Sequence, residues 1–530
     1  MGTKILLIVA TSAGLWGAAA ASGATGEKLE LMLRKRVAAQ EGGHHVVREK
    51  ARWDAKKTAA IVCDMWDKHW CKGATARVGE MAPRMNGLLK RLRKAGVLIV
   101  HAPSSTMGHY KDHPARKRAQ QAPRAKDLPK GIAGWCKGIA AERGSAWPVD
   151  QSDGGCDCRP RCKGGSPWKK QIEAIEIRDA DAISDSGVEI WNVLAERGVE
   201  NVLLMGVHTN MCVIGRPFGL RNMARFGKNV ALVRDLTDTM YNSRRRPFVD
   251  HFHGTDLVVE HIEKHVCPTV ESCDLAGGRA FRFAADKRPR IVFAIAEREY
   301  HTWQTLPAFA HGVLAARYGC SVKVLQADPA DRNRIPGFGR AVGQADLVFL
   351  SIRRRALPES DLESLRVYLR SGRPLVGIRT ASHAFDTKGK HPAGHAEWRS
   401  FDPDVLGGNY HGHHGNGPVT SATVADGAAK HPILAGVKTP LTTKGSLYRT
   451  SPLTQTATPL LIGRITGKDP EPIAWTNTYR KGRIFYTALG HPDDFKGDDP
   501  PIERLLTNAV FWAVGRPAPP PAGAAPKAEK

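Results

Sequence analysis

The stretch NVLLMGVHTNMC at residues 201–212 decides the fold of the first half of the chain. It begins as a near-continuous apolar run, which is typical of a strand buried on both faces of a sheet. Three further runs of this kind lie at 58–65 (TAAIVCDM), 97–104 (VLIVHAPS) and 229–237 (NVALVRDLT). Apolar residues at helical spacing occupy the intervals 77–94, 188–197 and 212–226. Strands that alternate with helices in this way predict a parallel sheet with helices on both sides.

A second alternation of the same type follows the polar break at residues 286–290. Strands are predicted at 291–295, 321–326, 345–352 and 374–379, and helices at 302–318 and 360–371. The latter helix has capping-box spacing from Ser360 to Glu363 and Gly372 just past its end. Strand-like runs at 447–449, 459–464, 473–476 and 483–488 precede a closing helix at 502–514. We therefore expect an α/β protein with two three-layer α/β/α domains, each built on a mostly parallel sheet.

Composition excludes several classes of protein. The chain has 530 residues, of which 42% are hydrophobic and 25% charged, so wholesale disorder, a collagen-like repeat and a polytopic membrane protein are ruled out. The 78 Lys and Arg residues exceed the 52 Asp and Glu residues by 26. The basic runs at 111–130, 244–246 and 353–355 are scattered, and none opens a nucleic-acid-binding module. We interpret the excess as a solvated basic surface and expect no specific nucleic-acid partner.

The N-terminus indicates export. Lys4 supplies a positive charge, residues 5–20 are mostly apolar, and small residues at 18–24 offer a cleavage site, which together are typical of a secretory signal peptide over residues 1–24. A retained N-terminal anchor is the alternative. No later apolar run reaches the roughly 18 to 20 residues that a membrane span needs. We expect a periplasmic or secreted protein with no membrane span once the signal is removed.

The same patterns divide the chain. An N-terminal extension at 25–57 precedes a first domain at 58–285, and a second domain occupies 286–516. The interval 107–170, rich in Pro, Gly, Lys and Cys, is predicted to be an insertion over one rim of the first sheet. The Pro- and Ala-rich tail at 517–530 is expected to be disordered.

Ten cysteines in an exported chain make disulfides plausible. Cys156, Cys158 and Cys162 are the densest group and are flanked by glycines. We favour a disulfide that staples this loop, because the three thiols lack a second matching pair at zinc-site spacing. Zinc binding and free thiols remain the alternatives, and the sequence does not determine the pairing.

Cys212 and Asp64 are the candidate catalytic residues. In parallel sheets, ligands bind at the carboxyl ends of the strands, which is where Asp64 and the segment after residue 205 are expected. Cys212 lies where a strand gives way to a helix, a position that favours a thiolate. Asp64 could take the thiol proton or orient a water. A purely structural cysteine is the alternative. The nearby Trp66, His69 and Trp70 could line a substrate pocket or simply pack.

Residues 58–275 resemble the isochorismatase-like cysteine hydrolases. The resemblance rests on Asp64 at the end of the first strand, the Gly-x-x-Thr-x-x-Cys stretch from Gly206 to Cys212, and VALVRDLTD at 230–238. It implies that the thiolate attacks an amide or related carbonyl and forms a thioester that water clears. It also implies a cis peptide at Val207–His208, with the backbone N–H groups of His208 and Cys212 as an oxyanion hole.

One catalytic member of that family is missing from this sequence. The position of the family's lysine falls on Asp179, with Arg178 beside it. A thiolate close to a carboxylate needs a nearby cation, since the two anions repel each other. We expect Lys169, Lys170 or Arg178 to supply it if the domain is catalytic; otherwise the domain only binds. The Asp-x-His metal signature of nicotinamidases is absent from residues 101–105, so no metal and no organic cofactor is expected.

Residues 290–515 resemble the trehalose-utilisation (ThuA-like) family, which shares the class I glutamine amidotransferase fold. The residues behind this are GIRTA at 377–381, with Arg379 where an amidotransferase has its cysteine, and the stretches 398–413 and 488–495. The resemblance implies a role in sugar or polyol metabolism without glutaminase chemistry.

The second domain also offers a set of candidate pocket residues. They can bind hydroxyls, carboxylates or a metal, or can satisfy loop hydrogen bonds instead; they are Arg379, His383, His411, His413, His491 and Asp493. The expected partners are a small-molecule substrate for the first domain and, as one option, a sugar derivative for the second. The sequence predicts an exported hydrolase fused to a carbohydrate-linked domain, and a non-catalytic binding protein is the alternative. It says nothing of the oligomeric state.

Overall fold

The computed structural model describes residues 27–38, 44–389 and 391–520. The predicted signal peptide at 1–24 and residues 521–530 of the predicted tail lie outside the described residues. Within that part of the chain, no helix combines the length and the apolar character needed to cross a bilayer.

The first domain is built on an eight-stranded sheet with the order β2-β1-β8-β7-β6-β3-β4-β5. The strands are β1 (Lys28–Ala38), β2 (His44–Asp54), β3 (Thr58–Cys63), β4 (Leu98–Ala102), β5 (Ala182–Ile183), β6 (Asn201–Val207), β7 (Asn229–Asp238) and β8 (Thr269–Val270). The four strands predicted for this domain are β3, β4, β6 and β7. They run parallel, with Val62 of β3 opposite both His101 and Met205.

Helices cover both faces of this sheet, as predicted. They are α1 (Lys72–Ala95), α2 (Pro114–Gln121), α3 (Gly187–Glu196), α4 (Leu220–Arg225), α5 (His251–His265) and α6 (Ser272–Ala276). Successive side chains of a strand point to opposite faces. Ala60 and Val62 accordingly pack in the core that includes α1, whereas Ala59 and Ile61 pack in the core that includes α3 and α5.

The helix predicted at 212–226 is broken. A turn of π-helix spans Thr209–Val213, and α4 begins only at Leu220. Pro217 lacks the N–H that a continuous helix would need at this point. A side chain on Gly219 would lie 2.8 Å from the carbonyl oxygen of Val213, so the chain turns tightly here.

The interval 25–57, predicted only as an extension, contains a β-hairpin. β1 and β2 pair antiparallel along their whole length, and β1 joins the sheet edge beside β8. Arg34 and Arg36 of β1 form ion pairs with the buried Glu263 of α5 at 3.2 and 3.1 Å. Arg48 of β2 donates to the carbonyl of Val324, which belongs to the second domain. The hairpin is therefore an integral part of the fold.

The insertion at 107–170 lies over the segment that carries Cys212. The N–H of Cys136 donates to the carbonyl of Gly215 at 2.8 Å. Glu142 forms an ion pair with Arg221 at 2.6 Å, and Gln151 accepts from Asn210 at 2.7 Å. These contacts attach three separate points of the insertion to the neighbourhood of Cys212.

The disulfide expected in the insertion is not formed. All ten cysteines lie among the described residues, and all are free thiols. Cys156, Cys158 and Cys162 gather around Cys71, a fourth cysteine from the start of α1 that the sequence pattern did not connect with them.

The second domain has a nine-stranded sheet with the order β10-β9-β11-β13-β19-β18-β17-β15-β16. Its strands, with the separate pair β12 and β14, are β9 (Arg290–Ala296), β10 (Ser321–Gln326), β11 (Leu347–Ile352), β12 (Leu357–Pro358), β13 (Leu375–Ile378), β14 (His395–Ala396), β15 (Thr420–Val424), β16 (Leu441–Thr443), β17 (Thr458–Arg464), β18 (Glu471–Tyr479) and β19 (Gly482–Thr487). The first five strands in the sheet order are parallel, and the rest extend it in antiparallel fashion. Two α/β domains are thus confirmed.

Its helices are α7 (Thr302–Ala308), α8 (Phe338–Gln344), α9 (Glu359–Arg370) and α10 (Pro501–Ala513). Two local predictions for this domain are wrong. Helix α9 begins at Glu359 directly after Pro358, so Ser360 lies inside the first turn and is not its cap. The run at 447–449 forms only a single bridge, between Tyr448 and His413.

Candidate active site

Asp64 lies directly after β3 at the carboxyl edge of the first sheet, and its side chain is fully buried. Its backbone has a positive φ of 48°, which turns the carboxylate across the strand ends. One carboxylate oxygen accepts from the N–H of Ser104 at 2.8 Å, and the other accepts from Arg216 at 3.1 Å. Burial raises the pKa of Asp64, and the Arg216 guanidinium opposes that rise. The site thus holds a carboxyl group suited to gain and lose a proton.

Cys212 follows β6 on the π-helical turn and is 7% exposed. Its thiol interacts with the Asp64 carboxylate and with the backbone at His208. Burial raises the pKa of the Cys212 thiol, the Asp64 carboxylate raises it further, and Arg216 lowers it. The structure therefore brings the two predicted catalytic side chains close enough to change each other's pKa.

The peptide bond at Val207–His208 is cis, in the position that the family resemblance implied. Gly206 before it has a φ of 113°, and a side chain there would lie 2.0 Å from the carbonyl oxygen of Cys63. Only glycine fits this close approach of β6 to β3. The turn places the backbone of His208 beside the sulfur of Cys212.

The cation beside Asp64 is Arg216, and sequence reasoning missed it. Arg216 also contacts Cys212, and its guanidinium carbon lies 4.7 Å from the ring centre of Trp135 in the insertion. The sequence does hold a signal for this residue. A side chain four positions after Cys212 lies about one helical turn further along, on the same face of the helix.

None of the three cations predicted for this role is paired with Asp64: two pair with glutamates, and the third is exposed. Lys170 pairs with Glu173, and Arg178 pairs with Glu176 at 2.6 Å. Lys169 is exposed, and its backbone N–H donates to Asp67 at 3.0 Å. We expected one of these three side chains to be the cation beside Asp64. That cation is Arg216 instead, whose guanidinium reaches the carboxylate from the same segment as the nucleophile.

Aromatic rings form one wall near the site. Trp66 stacks on Trp168 of the insertion at 4.4 Å, and His69 lies 5.8 Å from Trp168 and 4.8 Å from His208. Trp70 instead lies next to Gly154, on the side where Cys156, Cys158 and Cys162 gather. Burial lowers the pKa of His208 to about 3, so its imidazole is neutral. Nε2 of this buried ring has no hydrogen-bond partner among the described residues.

A buried polar network lies behind this wall. Arg77 of α1 donates to Asp238 at 2.7 Å, and His251 of α5 contacts the other oxygen of Asp238 at 2.9 Å. Although burial lowers the pKa of His251, the Asp238 carboxylate outweighs it and the net pKa is raised. Arg77 also pairs with Asp157 of the insertion at 3.2 Å, so the network joins the sheet to the insertion.

The second domain contains a cavity of about 410 Å³ at the carboxyl ends of its parallel strands. Aromatic and basic side chains dominate its lining: Tyr300, Tyr410, Tyr448, Arg353, Arg354, Lys388, Arg449, His383 and His413, with Glu299 as the acidic member. Sequence reasoning found the two histidines and missed the tyrosines and the four basic residues, which come from separate segments.

Arg379, which the sequence resemblance placed where an amidotransferase has its cysteine, is fully buried. Its guanidinium donates to the carbonyl of Ala488 and lies 4.1 and 4.8 Å from the ring centres of Tyr300 and Tyr448. His383 stacks on Tyr410 at 4.3 Å, and burial lowers its pKa to about 2. Arg379 thus supports the tyrosine wall of the cavity and offers no nucleophile.

The remaining predicted pocket residues of this domain do not line the cavity. His411 is exposed and hydrogen-bonds the carbonyl of Asn409 at 2.7 Å. His491 lies 3.7 Å from Asp493, which forms ion pairs with Lys444 and Lys496. In the described part of the second domain, no group of His, Asp, Glu or Cys side chains converges as a metal-ligand set.

Comparisons with known proteins cover both halves of the chain, although no curated protein matches it. A ThuA-like protein from Bacteroides uniformis is 17% identical over 45% of this chain and 97% of its own, with a TM-score of 0.34. A cysteine hydrolase from Pseudomonas syringae is 18% identical over 42% of this chain and 92% of its own, with a TM-score of 0.27. An isochorismatase from Pseudomonas putida is 13% identical over 42% of this chain and 91% of its own, with a TM-score of 0.26. Residues 316–513 match the ThuA family model, described as trehalose utilisation, so the second α/β domain of this chain is a ThuA domain.

Proposed function

We propose that the first domain is a cysteine hydrolase of the isochorismatase-like type, which cleaves an amide or related C–N bond of a small molecule. One observation carries the proposal: the Cys212 thiol lies beside a buried Asp64 carboxylate that Arg216 holds in place. A cysteine kept only for packing would have no need of an ion pair buried beside its sulfur, because such pairs are costly to desolvate.

The proposed reaction uses Asp64 to carry one proton. As the Cys212 sulfur attacks the substrate carbonyl carbon, the thiol proton passes to Asp64, and the backbone N–H groups of His208 and Cys212 stabilise the oxyanion. Collapse of the tetrahedral intermediate breaks the C–N bond, and Asp64 returns the proton to the leaving amine. Asp64 then takes a proton from water, whose oxygen attacks the thioester. When the C–S bond breaks, Asp64 returns that proton to the Cys212 sulfur, and the carboxylic acid leaves.

The electrostatics favour this division of roles. Because both groups are buried, solvent does not stabilise the Cys212 thiolate or the Asp64 carboxylate, and burial raises the pKa of each. Arg216 contacts both groups and compensates the single negative charge that they share, wherever the proton is. A base whose pKa lies closer to neutrality is a better proton carrier than an exposed carboxylate.

Turnover is tested with a panel of small primary amides, with released ammonia as the readout and the full-length protein as the enzyme. Acyl transfer is tested separately with activated esters, by mass mapping of the peptide that contains Cys212. We expect an acyl adduct on Cys212 and loss of turnover in Cys212→Ala. Cys267→Ala is the matched control, since Cys267 is a buried cysteine of the same domain that precedes β8, three strands away from β3 in the sheet. Full turnover in Cys212→Ala would contradict the covalent mechanism.

For the ThuA domain we propose binding of a small, polar, anionic ligand, for which a sugar derivative is one candidate. The cavity supports this, since its tyrosine rings suit sugar rings and its four basic residues outnumber its single glutamate. Isothermal titration with neutral and carboxylated or phosphorylated sugars tests the preference for anions. If both domains bind but neither turns over, the alternative of a non-catalytic binding protein is correct.

Export of the chain is a separate proposal, supported by Lys4 and the apolar residues 5–20. Expression of the full chain in a Gram-negative host, followed by fractionation and mass analysis of the intact protein, tests it. We expect a product in the periplasm or medium that begins near residues 21–25. An uncleaved cytoplasmic product would contradict export.

A further inference from the structure

Four cysteines from two distant parts of the first domain meet at a point outside the Cys212 site. Cys71 immediately precedes α1, and Cys156, Cys158 and Cys162 belong to the glycine-rich loop of the insertion. Their four sulfur atoms all lie within 4.8 Å of one another. We propose that this cysteine cluster is a structural zinc site, in which four thiolates hold one Zn²⁺ ion.

The distances fit a single shared metal ion. Zinc binds thiolates at about 2.3 Å in tetrahedral geometry, so neighbouring sulfurs of a site with four cysteine ligands lie about 3.8 Å apart. The sulfurs of Cys71 and Cys158 are 3.7 Å apart. That separation is far beyond the roughly 2.05 Å of a disulfide bond. Four sulfurs that converge on one point, and do not separate into two bonded pairs, indicate a common ligand.

Backbone N–H groups of α1 support the thiolate state of the cluster. The N–H of Gly73 donates to the sulfur of Cys158 at 3.3 Å, and the N–H of Lys72 donates to the sulfur of Cys162 at 3.4 Å. These donors belong to the first turn of a 24-residue helix, where N–H groups have no partner within the helix and favour negative charge. Two of the four sulfurs therefore have the charge stabilisation that metal-bound thiolates need.

Glycines allow the loop to approach so closely. A side chain on Gly73 would lie 3.3 Å from the sulfur of Cys158 and 3.1 Å from Asp157. Gly155 has a φ of 72°, and a side chain there would lie 2.2 Å from the carbonyl oxygen of Met240. The loop is thus held against both α1 and the segment after β7, and this fixes the directions of the cysteine side chains.

Four sulfur ligands leave no open coordination position, which is the mark of a structural site and not of a catalytic one. The site would fix the insertion to the sheet through neighbours already described. Asp157, between two of the ligands, pairs with Arg77, and the N–H of Cys71 donates to Nδ1 of His69 at 3.1 Å. The zinc would thereby hold the wall that lies beside His208, without touching the substrate.

The first experiment measures metal in the unmodified protein. The full-length chain is purified under reducing conditions without a polyhistidine tag, and zinc and iron are quantified by mass spectrometry. We expect one zinc per chain. Titration with a mercurial thiol reagent should release that zinc, and Co²⁺ added to the stripped protein should give the intense visible absorption of tetrahedral cobalt thiolate.

Variants then assign the ligands. Cys71→Ser and Cys158→Ser should each lose most of the bound zinc, whereas the control Cys320→Ser, which changes a buried cysteine of the second domain, should keep it. Because a ligand variant can fail to fold, the cobalt spectrum of the unmodified chain is an independent reading. The measurement of metal content does not depend on turnover, so the zinc proposal and the proposed hydrolase can fail separately.

Three results would overturn the proposal. They are a metal-free protein whose four cysteines form two disulfides, a metal-free protein that takes up neither Zn²⁺ nor Co²⁺ with reduced thiols, and zinc retained equally by Cys71→Ser, Cys158→Ser and the control. Iron in place of zinc at the same stoichiometry would overturn the identity of the metal.

Discussion

Replacing Arg216 with Gln should slow alkylation of Cys212 by about 30-fold at a pH below the pKa of the thiol. Arg216 contacts both Asp64 and the Cys212 sulfur, and its side chain is 17% exposed. Opposite unit charges about 4 Å apart interact by about 4 kcal/mol at an effective dielectric constant of about 20. Part of that loss is recovered, because without its cation Asp64 holds a proton more readily and repels the thiolate less.

We take the net effect as about half, or about 2 kcal/mol, which corresponds to about 1.5 pKa units and a roughly 30-fold smaller thiolate population. The assay is the rate of iodoacetamide labelling of Cys212 by peptide mass mapping across a range of pH. Arg216→Lys should restore most of the rate. Arg225→Gln is the control, because Arg225 is an arginine of α4 whose guanidinium lies over Phe226, away from the site. Labelling of Arg216→Gln at the wild-type rate at every pH would refute the reasoning.

The other predictions concern the carboxylate, the insertion and buried histidines. Asp64→Asn should abolish turnover yet speed alkylation of Cys212, since Arg216 then acts on the thiolate without an opposing anion; slower alkylation would contradict this. Trp135→Ala should lower the free energy of unfolding by no more than about 1 kcal/mol in urea titrations, the value of an exposed cation–π contact; a larger loss would make Trp135 part of the core. The folded-state pKa values of His208 and His383 are about 3 and about 2, below the ordinary 6.5. The unfolded chain therefore binds more protons, and stability should be full above pH 6.5 and fall as pH decreases below it, by up to about 1.4 kcal/mol per pH unit for each histidine. His383→Phe should flatten that fall in urea midpoints between pH 7 and pH 5, and an unchanged slope would exclude His383 as a source.

Much of the fold is predictable from the sequence because its strands are buried on both faces. Runs such as β3 and β6 are almost wholly apolar, so they stand out without any knowledge of their neighbours. The hairpin was missed because β1, KLELMLRKRVA, mixes charged and apolar residues, and its partner β8 lies more than 200 residues away in the chain. Its arginines are stabilised by Glu263, which no local pattern reveals.

The candidate site was also predictable only in part. Asp64 and Cys212 follow strands, and strand ends meet at one edge of a parallel sheet, so their proximity could be inferred. Arg216 lies one helical turn after Cys212, but no local pattern connects it with Asp64, which is 152 positions away in the sequence. Cys71 is separated from Cys156 by 85 positions in the sequence, and only the folded insertion brings the two sulfurs together.

The β1–β2 hairpin determines where this chain can be divided for separate study of its halves. A fragment that begins at residue 58, where the apolar pattern starts, would lose an edge of its sheet. It would also leave the fully buried carboxylate of Glu263 with one of its three contacting arginines, at 3.9 Å. Removal of partners from a buried charge is strongly destabilising. A soluble first half therefore has to begin at or before residue 27. Separating the two halves also removes Arg48 from the carbonyl of Val324, which leaves that backbone group of the ThuA half without this donor.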